Sequence, residues 1–175
     1  MPDNARERAA KIKLLVLDVD GVLTDGGLYY DADGRVMKRF NVQDGLGIKL
    51  AQAAGVEVGV ITGLNHKAVE TRVRELGIEH YYPGKRRKLP LFQEMCEKVG
   101  VTADQAAFLG DDWVDVGVMR KVGLSMAVNN AVPEVLKEAH WVSTRAGGHG
   151  AVREAVQFIL DAQGLLDGLW QKWAD

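Results

Sequence analysis

The sequence predicts an α/β protein built on a doubly wound parallel sheet, with a β-hairpin inserted after the first strand. Short apolar runs alternate with amphipathic stretches along the chain, which is typical of strands and helices that follow one another in such a sheet. The first apolar run, residues 13–18, is continuous rather than alternating, as expected of a central strand buried on both faces.

This alternation predicts the order of the strands and helices. Right-handed crossover connections would carry successive helices to the two faces of the sheet. Strands are predicted at residues 13–18, 57–62, 80–82, 106–110, 125–128 and 140–142. Helices are predicted at residues 45–54, 66–76, 88–99, 113–121, 133–138 and 151–160.

Residues 22–40 interrupt the alternation. Two strand-like runs, 28–30 and 35–40, flank the turn sequence Asp-Ala-Asp-Gly at 31–34, which predicts a β-hairpin. Because it follows the first strand directly, this hairpin would stand beside the edge of the sheet, as a flap or as a contact between subunits.

The C-terminal tail, residues 164–175, carries Trp170 and Trp173. Little sequence remains there for these side chains to pack against. Tryptophans at a chain end usually dock on a surface, and a neighbouring subunit would supply one.

Composition favours one domain over residues 1–175, because this length is sufficient to bury a core. The net charge of −2 provides no basic surface for a nucleic-acid backbone, so no nucleic-acid partner is expected. The charged N-terminal residues 1–11 are followed by only a short apolar run, so neither a signal peptide nor a membrane span is expected. The single cysteine, Cys96, cannot form an internal disulfide, and the expected location is the cytoplasm.

Two acids follow the first predicted strand, and Gly21 then allows the chain to turn sharply. Asp18 and Asp20 would lie at the carboxyl end of a central strand, where ligands bind in open α/β sheets. Carboxylates are costly there unless a cation or a reaction uses them. The sequence therefore predicts an active site at this edge of the sheet.

Other polar residues are predicted at the same edge. Thr62 ends a strand at a turn whose hydroxyl and backbone N–H groups could hold an anion, and Lys88 lies at the start of a helix. Asp111, Asp112 and Asp115 follow a later strand. These acids would meet Asp18 if the two strands are neighbours.

This set of residue types suits phosphoryl transfer. Phosphate-monoester hydrolysis is very slow without a catalyst, and a carboxylate nucleophile divides it into two easier steps. Asp18 and Asp111 could hold Mg²⁺ between the anionic nucleophile and the phosphate. Asp20 could act as general acid and base, and Lys88 could neutralise the phosphate oxygens.

Four segments together resemble the motifs of the haloacid dehalogenase superfamily, in its phosphatase branch. They are DVDGVLT at 18–24, ITG at 61–63, Lys88, and GDDWVD at 110–115. The resemblance implies a Rossmann-like sheet, and the short chain resembles the group without a cap domain. It also implies that Mg²⁺ is the cofactor.

The resemblance further implies a role for each site residue. Asp18 would be the nucleophile and Asp20 the general acid and base, while Thr62, Gly63 and Lys88 would bind the phosphoryl group. Metal contacts would come from Asp18, Asp111 and the backbone carbonyl of Asp20.

The roles of two further acids stay open at the level of sequence. Asp112 could orient metal-bound water or cap the helix that begins near Trp113. Asp115 could support the metal ligands or be an exposed helix residue. The glycine-rich segment 147–150 could bind an anion through its amides or simply connect two elements.

Longer segments are similar to the family of 3-deoxy-D-manno-octulosonate 8-phosphate phosphatases. They are LTDG at 23–26 and the stretches 38–48 and 145–154. This similarity implies hydrolysis of a small sugar acid phosphate in lipopolysaccharide precursor synthesis. It also implies a homotetramer in which the hairpins associate and neighbouring subunits cover each active site.

The chain departs from that family at two positions. Gln43 and Leu64 stand where the family usually has arginine, so two cations that would face the substrate are absent. Residues 85–87 could replace this charge or simply form a solvated basic run. The alternatives are therefore a phosphatase of nine-carbon sugar acid phosphates, a broader sugar phosphatase, or a non-catalytic assembly module of the same fold.

Overall fold

The computed structural model describes residues 2–174, and a six-stranded parallel sheet forms its centre. Strand β1 lies in the middle, and the spatial order is β5-β4-β1-β6-β7-β8. The strands are β1 (Leu14–Leu17), β2 (Tyr29–Tyr30), β3 (Val36–Met37), β4 (Glu57–Ile61), β5 (His80–Tyr82), β6 (Ala106–Gly110), β7 (Leu124–Ala127) and β8 (Trp141–Val142).

Helices cover both faces of the sheet. Helices α1, α2 and α7 pack together on one face, while α4, α5 and α6 follow one another on the other. This arrangement confirms the predicted doubly wound parallel sheet, and residues 2–174 form no separate cap domain. The helices are α1 (Pro2–Ala9), α2 (Val42–Ala53), α3 (Lys67–Glu75), α4 (Lys88–Val99), α5 (Trp113–Met119), α6 (Pro133–Glu138), α7 (Ala151–Ala162) and α8 (Leu166–Ala174).

The register of β1 determines where the polar residues meet. Leu17 pairs with Val60 of β4 on one side and with Leu109 of β6 on the other. The residues that directly follow these three strands therefore emerge at the same edge of the sheet. All four residues of β1 are buried, as expected of a central parallel strand.

The predicted strands agree with the observed ones to within one residue at most ends, but the first predicted helix begins too late. Helix α2 starts at Val42 rather than at residue 45, because the Asn41 side chain accepts a hydrogen bond from the Gln43 N–H at 2.8 Å and caps the helix. Helices α1 and α8 were not predicted. Helix α8 contains the two tryptophans of the tail and has no fully buried residue.

The predicted hairpin is present, but its strands are shorter than the sequence pattern indicates. Tyr29 pairs with Met37 and Tyr30 with Val36, and the ladder ends there. The predicted strand 35–40 was too long, because Phe40 leaves the ladder to form an isolated bridge with Thr24. We call residues 22–40 the flap hairpin.

The two arms of the flap hairpin, on either side of its turn at residues 31–34, expose apolar side chains. Leu28, Tyr30 and Met37 expose most of their side chains. Across residues 2–174, no helix is long and apolar enough to cross a membrane.

Candidate active site

The loop after β1 brings two acids to the edge of the sheet. Asp18 continues the strand, since its N–H donates to the Leu109 carbonyl at 3.1 Å. Gly21 then turns the chain with a φ of +89°, a conformation that favours glycine. A Cβ at Gly21 would lie 2.0 Å from Asp111 Oδ2, so glycine is also needed for the close approach of Asp111.

Lys88 is the first residue of α4, and its ammonium group lies between two acids. Its Nζ is 2.6 Å from Asp18 Oδ1 and 2.7 Å from Asp115 Oδ1. The Lys88 side chain is 1% exposed. Burial alone would lower the pKa of Lys88, but the two carboxylates outweigh it and raise that pKa. Lys88 is therefore a fixed positive charge beside Asp18.

Asp115 supports the site from below. While Oδ1 accepts from Lys88, Oδ2 accepts from the backbone N–H groups of Asp111 at 2.9 Å and Asp112 at 3.3 Å. Asp115 is fully buried rather than exposed. It holds both the cation and the loop that carries Asp111.

Asp112 has a different task in the structure. Its side chain accepts from the Trp113 N–H at 2.7 Å and caps α5. Of the two interpretations left open by the sequence, the helix cap is the contact that Asp112 makes.

The carboxylates of Asp18, Asp111 and Asp115 form a compact cluster. One oxygen from each lies within 4.8 Å of the others. Asp111 Oδ1 is buried and has no hydrogen-bond partner among the described residues. A buried oxygen without a partner is costly, and an oxygen-only donor set suits a hard divalent cation. The residues present therefore fit Mg²⁺.

The electrostatics of the cluster agree with this fit. Burial and the neighbouring Asp115 charge raise the pKa of Asp18 to about 7, against the opposing effect of Lys88. Burial and the Asp18 charge raise the pKa of Asp111 to about 8. Both pKa values are raised first by burial and then by neighbouring negative charge, and a bound divalent cation would stabilise the ionised form against both effects.

Thr62 and Gly63 lie at the turn after β4, beside the acids. Thr62 is buried, and its N–H donates to the Tyr82 carbonyl at 3.1 Å while its own carbonyl accepts from the Lys85 N–H at 3.1 Å. These bonds join the turn after β4 to the loop after β5. The Thr62 hydroxyl is thereby held at the wall of the site.

The site residues surround a cavity of about 200 Å³. All the residues that the sequence predicts for the site line it, except Asp115, which lies beneath. The lining residues are Asp18, Asp20, Thr62, Gly63, Leu64, Lys88, Asp111, Asp112 and Val114.

The two departures from the family pattern lie in different places. Leu64 lines the cavity, whereas Gln43 does not. Gln43 lines a separate cavity of about 430 Å³ together with Arg145 and Arg153. Within one copy of the chain, Leu64 therefore faces the site and Gln43 does not.

The glycine-rich segment 147–150 offers few free amides to an outside anion. Asp44 of α2 already occupies the start of α7, where it accepts from Gly150 N–H at 3.3 Å and Arg153 N–H at 2.9 Å. A Cβ at Gly147 would lie 1.7 Å from the Gly21 carbonyl oxygen. Of the two interpretations, packing of this segment against the Gly21 loop is therefore the one observed.

Sequence reasoning missed one residue of the site. Lys38 of the flap hairpin reaches back to Asp20 and forms an ion pair with its Oδ1. The only signal in the sequence was the position of the hairpin directly after the acids. Which of its basic residues would turn inward depends on the three-dimensional path of the hairpin.

The chain is similar in sequence to known proteins. Residues 82–155 match the family described as haloacid dehalogenase-like hydrolase. The 3-deoxy-D-manno-octulosonate 8-phosphate phosphatase KdsC of Escherichia coli strain K12 is 48% identical over 160 residues, which cover 91% of this chain and 85% of that protein.

Solved structures extend the comparison to the fold. The crystal structure of 3-deoxy-D-manno-octulosonate 8-phosphate phosphatase from Yersinia pestis has a TM-score of 0.93 at 44% identity, covering 95% of this chain and 90% of that one. The enzyme from Moraxella catarrhalis, in complex with magnesium ion, phosphate ion and a KDO molecule, has a TM-score of 0.95 at 34% identity and covers 98% of both chains. The chain therefore belongs to the 3-deoxy-D-manno-octulosonate 8-phosphate phosphatase family of haloacid dehalogenase-like hydrolases.

Proposed function

We propose that the protein is a Mg²⁺-dependent phosphomonoesterase that hydrolyses 3-deoxy-D-manno-octulosonate 8-phosphate to the free sugar acid and phosphate, in lipopolysaccharide precursor synthesis. The observation that carries the proposal is the buried Lys88, 2.6 Å from Asp18 and beside a three-carboxylate cluster. The identity to KdsC phosphatases over most of the chain supports the choice of substrate.

Each proposed step uses a residue of the cavity. The Asp18 carboxylate attacks phosphorus and the ester P–O bond breaks, while Asp20 gives its proton to the leaving oxygen. Asp20 then takes a proton from water, whose oxygen attacks phosphorus and breaks the bond to Asp18. Thr62, Gly63 and Lys88 hold the phosphoryl oxygens throughout.

The metal would be held by Asp18, Asp111 and the backbone carbonyl of Asp20. A bound Mg²⁺ supplies the positive charge that lets an anionic nucleophile approach an anionic phosphate. Asp115 and Asp112 would act indirectly, Asp115 by holding Lys88 and the Asp111 loop, and Asp112 by fixing the start of α5.

The substrate is tested by phosphate release from a panel of sugar phosphates with Mg²⁺. We expect kcat/KM for the eight-carbon acid to exceed that for nine-carbon sugar acid phosphates by ~100-fold, or about 2.7 kcal/mol of transition-state discrimination. A flat profile would contradict the eight-carbon acid as the preferred substrate, but it would still support phosphatase activity. No turnover of any ester would favour the non-catalytic module.

A nine-carbon sugar acid phosphate is the second candidate substrate. Leu64 keeps it open, because this residue lines the cavity where the family usually has an arginine that would bind a carboxylate or phosphate in two hydrogen bonds, so one contact that would select the eight-carbon acid is absent. A preference for the nine-carbon acid in the same panel would select this candidate.

We also propose a cytoplasmic homotetramer formed by single-domain chains, residues 1–175, with the flap hairpin at its interfaces. The exposed apolar side chains on the arms of the flap hairpin support this, as do Trp170 and Trp173 in the tail, residues 164–175. Native mass spectrometry should give four chains per particle. A monomeric particle with full activity would contradict the tetramer.

A further inference from the structure

We propose that Lys38 is a positioning residue, which acts on the reaction by fixing the carboxylate of Asp20 and does not itself touch the substrate. Lys38 follows β3 on the flap hairpin, and its Nζ is ion-paired with Asp20 Oδ1 across 18 residues of sequence. This inference rests on the proposed function, because it assigns a role within the same site.

The burial of Lys38 distinguishes it from the other cations of the hairpin. Its side chain is 3% exposed, whereas those of Arg35 and Arg39 are 76% and 47% exposed. A buried ammonium group is costly unless a carboxylate compensates it. Asp20 is its ion-pair partner within residues 2–174. The two side chains therefore fix one another.

The backbone around Lys38 is held by contacts on its C-terminal side. Phe40 forms a bridge with Thr24. Arg39 Nη1 donates to the Gly148 carbonyl at 2.9 Å, and Asn41 Nδ2 donates to the same oxygen at 3.3 Å. The base of the hairpin is thus joined to the body of the protein directly after Lys38.

Asp20 needs such a support more than Asp18 does. Its side chain is 33% exposed, against 8% for Asp18, and Lys38 is the one donor to it among the described residues. Because Lys38 occupies Oδ1, Oδ2 is the oxygen of Asp20 that remains free to face the leaving oxygen. A general acid works only within hydrogen-bond reach of that oxygen, and a misplacement of about 1 Å costs ~100-fold in rate.

The leaving group provides a direct readout of this role. The sugar alkoxide must be protonated as it leaves, whereas p-nitrophenolate leaves without a proton. Since kcat/KM reports only the steps up to the transfer of phosphate to Asp18, a misplaced Asp20 lowers kcat/KM for the sugar ester selectively. A general loss of structure would lower both values alike.

The experiment compares Lys38→Met with the wild type on 3-deoxy-D-manno-octulosonate 8-phosphate and on p-nitrophenyl phosphate, with Mg²⁺. We expect kcat/KM to fall by ~100-fold for the sugar ester and by less than ~5-fold for the aryl ester. Arg35→Met is the matched control, an exposed cation of the same hairpin, and should leave both values unchanged. Lys38→Gln replaces Lys38→Met if thermal melting shows that the latter does not fold.

A double variant tests whether Lys38 acts on the reaction through Asp20. In Asp20→Asn, the further change Lys38→Met should cause no additional loss on the sugar ester, because the group that Lys38 positions no longer acts as an acid. Equal losses on both esters, no loss on the sugar ester, or an additional loss in the Asp20→Asn background would each overturn the inference and leave the proposed function intact. A wild-type chain that turns over neither ester would overturn both.

Discussion

Gly21 and Asp111 approach one another so closely that a single methyl group at Gly21 would lie 2.0 Å from Asp111 Oδ2. Gly21 also has a φ of +89°. The turn after β1 therefore serves two purposes, since it redirects the chain after Asp20 and leaves room for a carboxylate from the loop after β6.

Gly21→Ala should lower both stability and activity. The left-handed backbone strain costs ~1–2 kcal/mol, and the displacement of Asp111 adds ~1–3 kcal/mol. Gly34→Ala is the matched control, because Gly34 has a φ of +75° but a Cβ added there would meet no atom within 4 Å. In Gly34→Ala, chemical denaturation should show only the loss of stability that backbone strain causes. Phosphate release by this variant should equal that of the wild type. Equal effects of the two changes would contradict a special contact between Gly21 and Asp111.

Asp115→Asn should lower activity although this residue does not line the cavity. The change removes the negative charge that faces Lys88 and weakens the support of the Asp111 loop. Supporting residues of this kind are typically worth 10–100-fold in activity or metal affinity, and we expect a loss of about that size.

Asp112→Asn is the control for that measurement. Asparagine caps helices about as well as aspartate, so the contact with the Trp113 N–H should survive and kcat should stay near the wild-type value. A large loss in Asp112→Asn together with none in Asp115→Asn would reverse the roles assigned to the two acids.

Mg²⁺ should stabilise the protein more at pH 8 than at pH 6. The pKa values of Asp18 and Asp111 are raised to about 7 and about 8, so the metal-free folded chain holds protons that the unfolded chain releases near pH 4. The metal-free protein therefore loses stability through these groups as the pH rises from about 4 to about 8. Because the cation binds the ionised carboxylates, its affinity rises over the upper part of the same range.

Thermal melting with and without Mg²⁺ measures this effect. The Mg²⁺-induced rise in Tm should grow between pH 6 and pH 8, and it should be much smaller in Asp111→Asn at both values. A rise in Tm that does not depend on pH would contradict the binding of the cation to Asp18 and Asp111.

The sheet was predictable because its signals are local. The continuous apolar run of β1 and the placement of acids after β1 and β6 determine the edge at which the site lies, and the observed strand order confirms the fold. The turn after β4 contributes Thr62 in the same way. Residues that directly follow neighbouring parallel strands lie close together at the carboxyl edge of the sheet.

What the sequence did not predict depends on tertiary contacts. Lys38 reaches Asp20 on a path that also brings Phe40 into a bridge with Thr24, and no pattern within the hairpin specifies that path. Helix α8 is an exception, since it was not predicted although Leu166, Leu169, Trp170 and Trp173 recur at helical spacing. Gln43 lies near the start of α2, and its distance from the cavity follows from how α2 packs against α7.

The central claim is that Asp18 is the nucleophile of a Mg²⁺-dependent phosphatase. The most direct test is phosphate release from 3-deoxy-D-manno-octulosonate 8-phosphate by the wild type and by Asp18→Asn, with Mg²⁺ and with folding checked by thermal melting. We expect Mg²⁺-dependent turnover by the wild type and none by the folded variant. Turnover by Asp18→Asn near the wild-type rate would contradict the account.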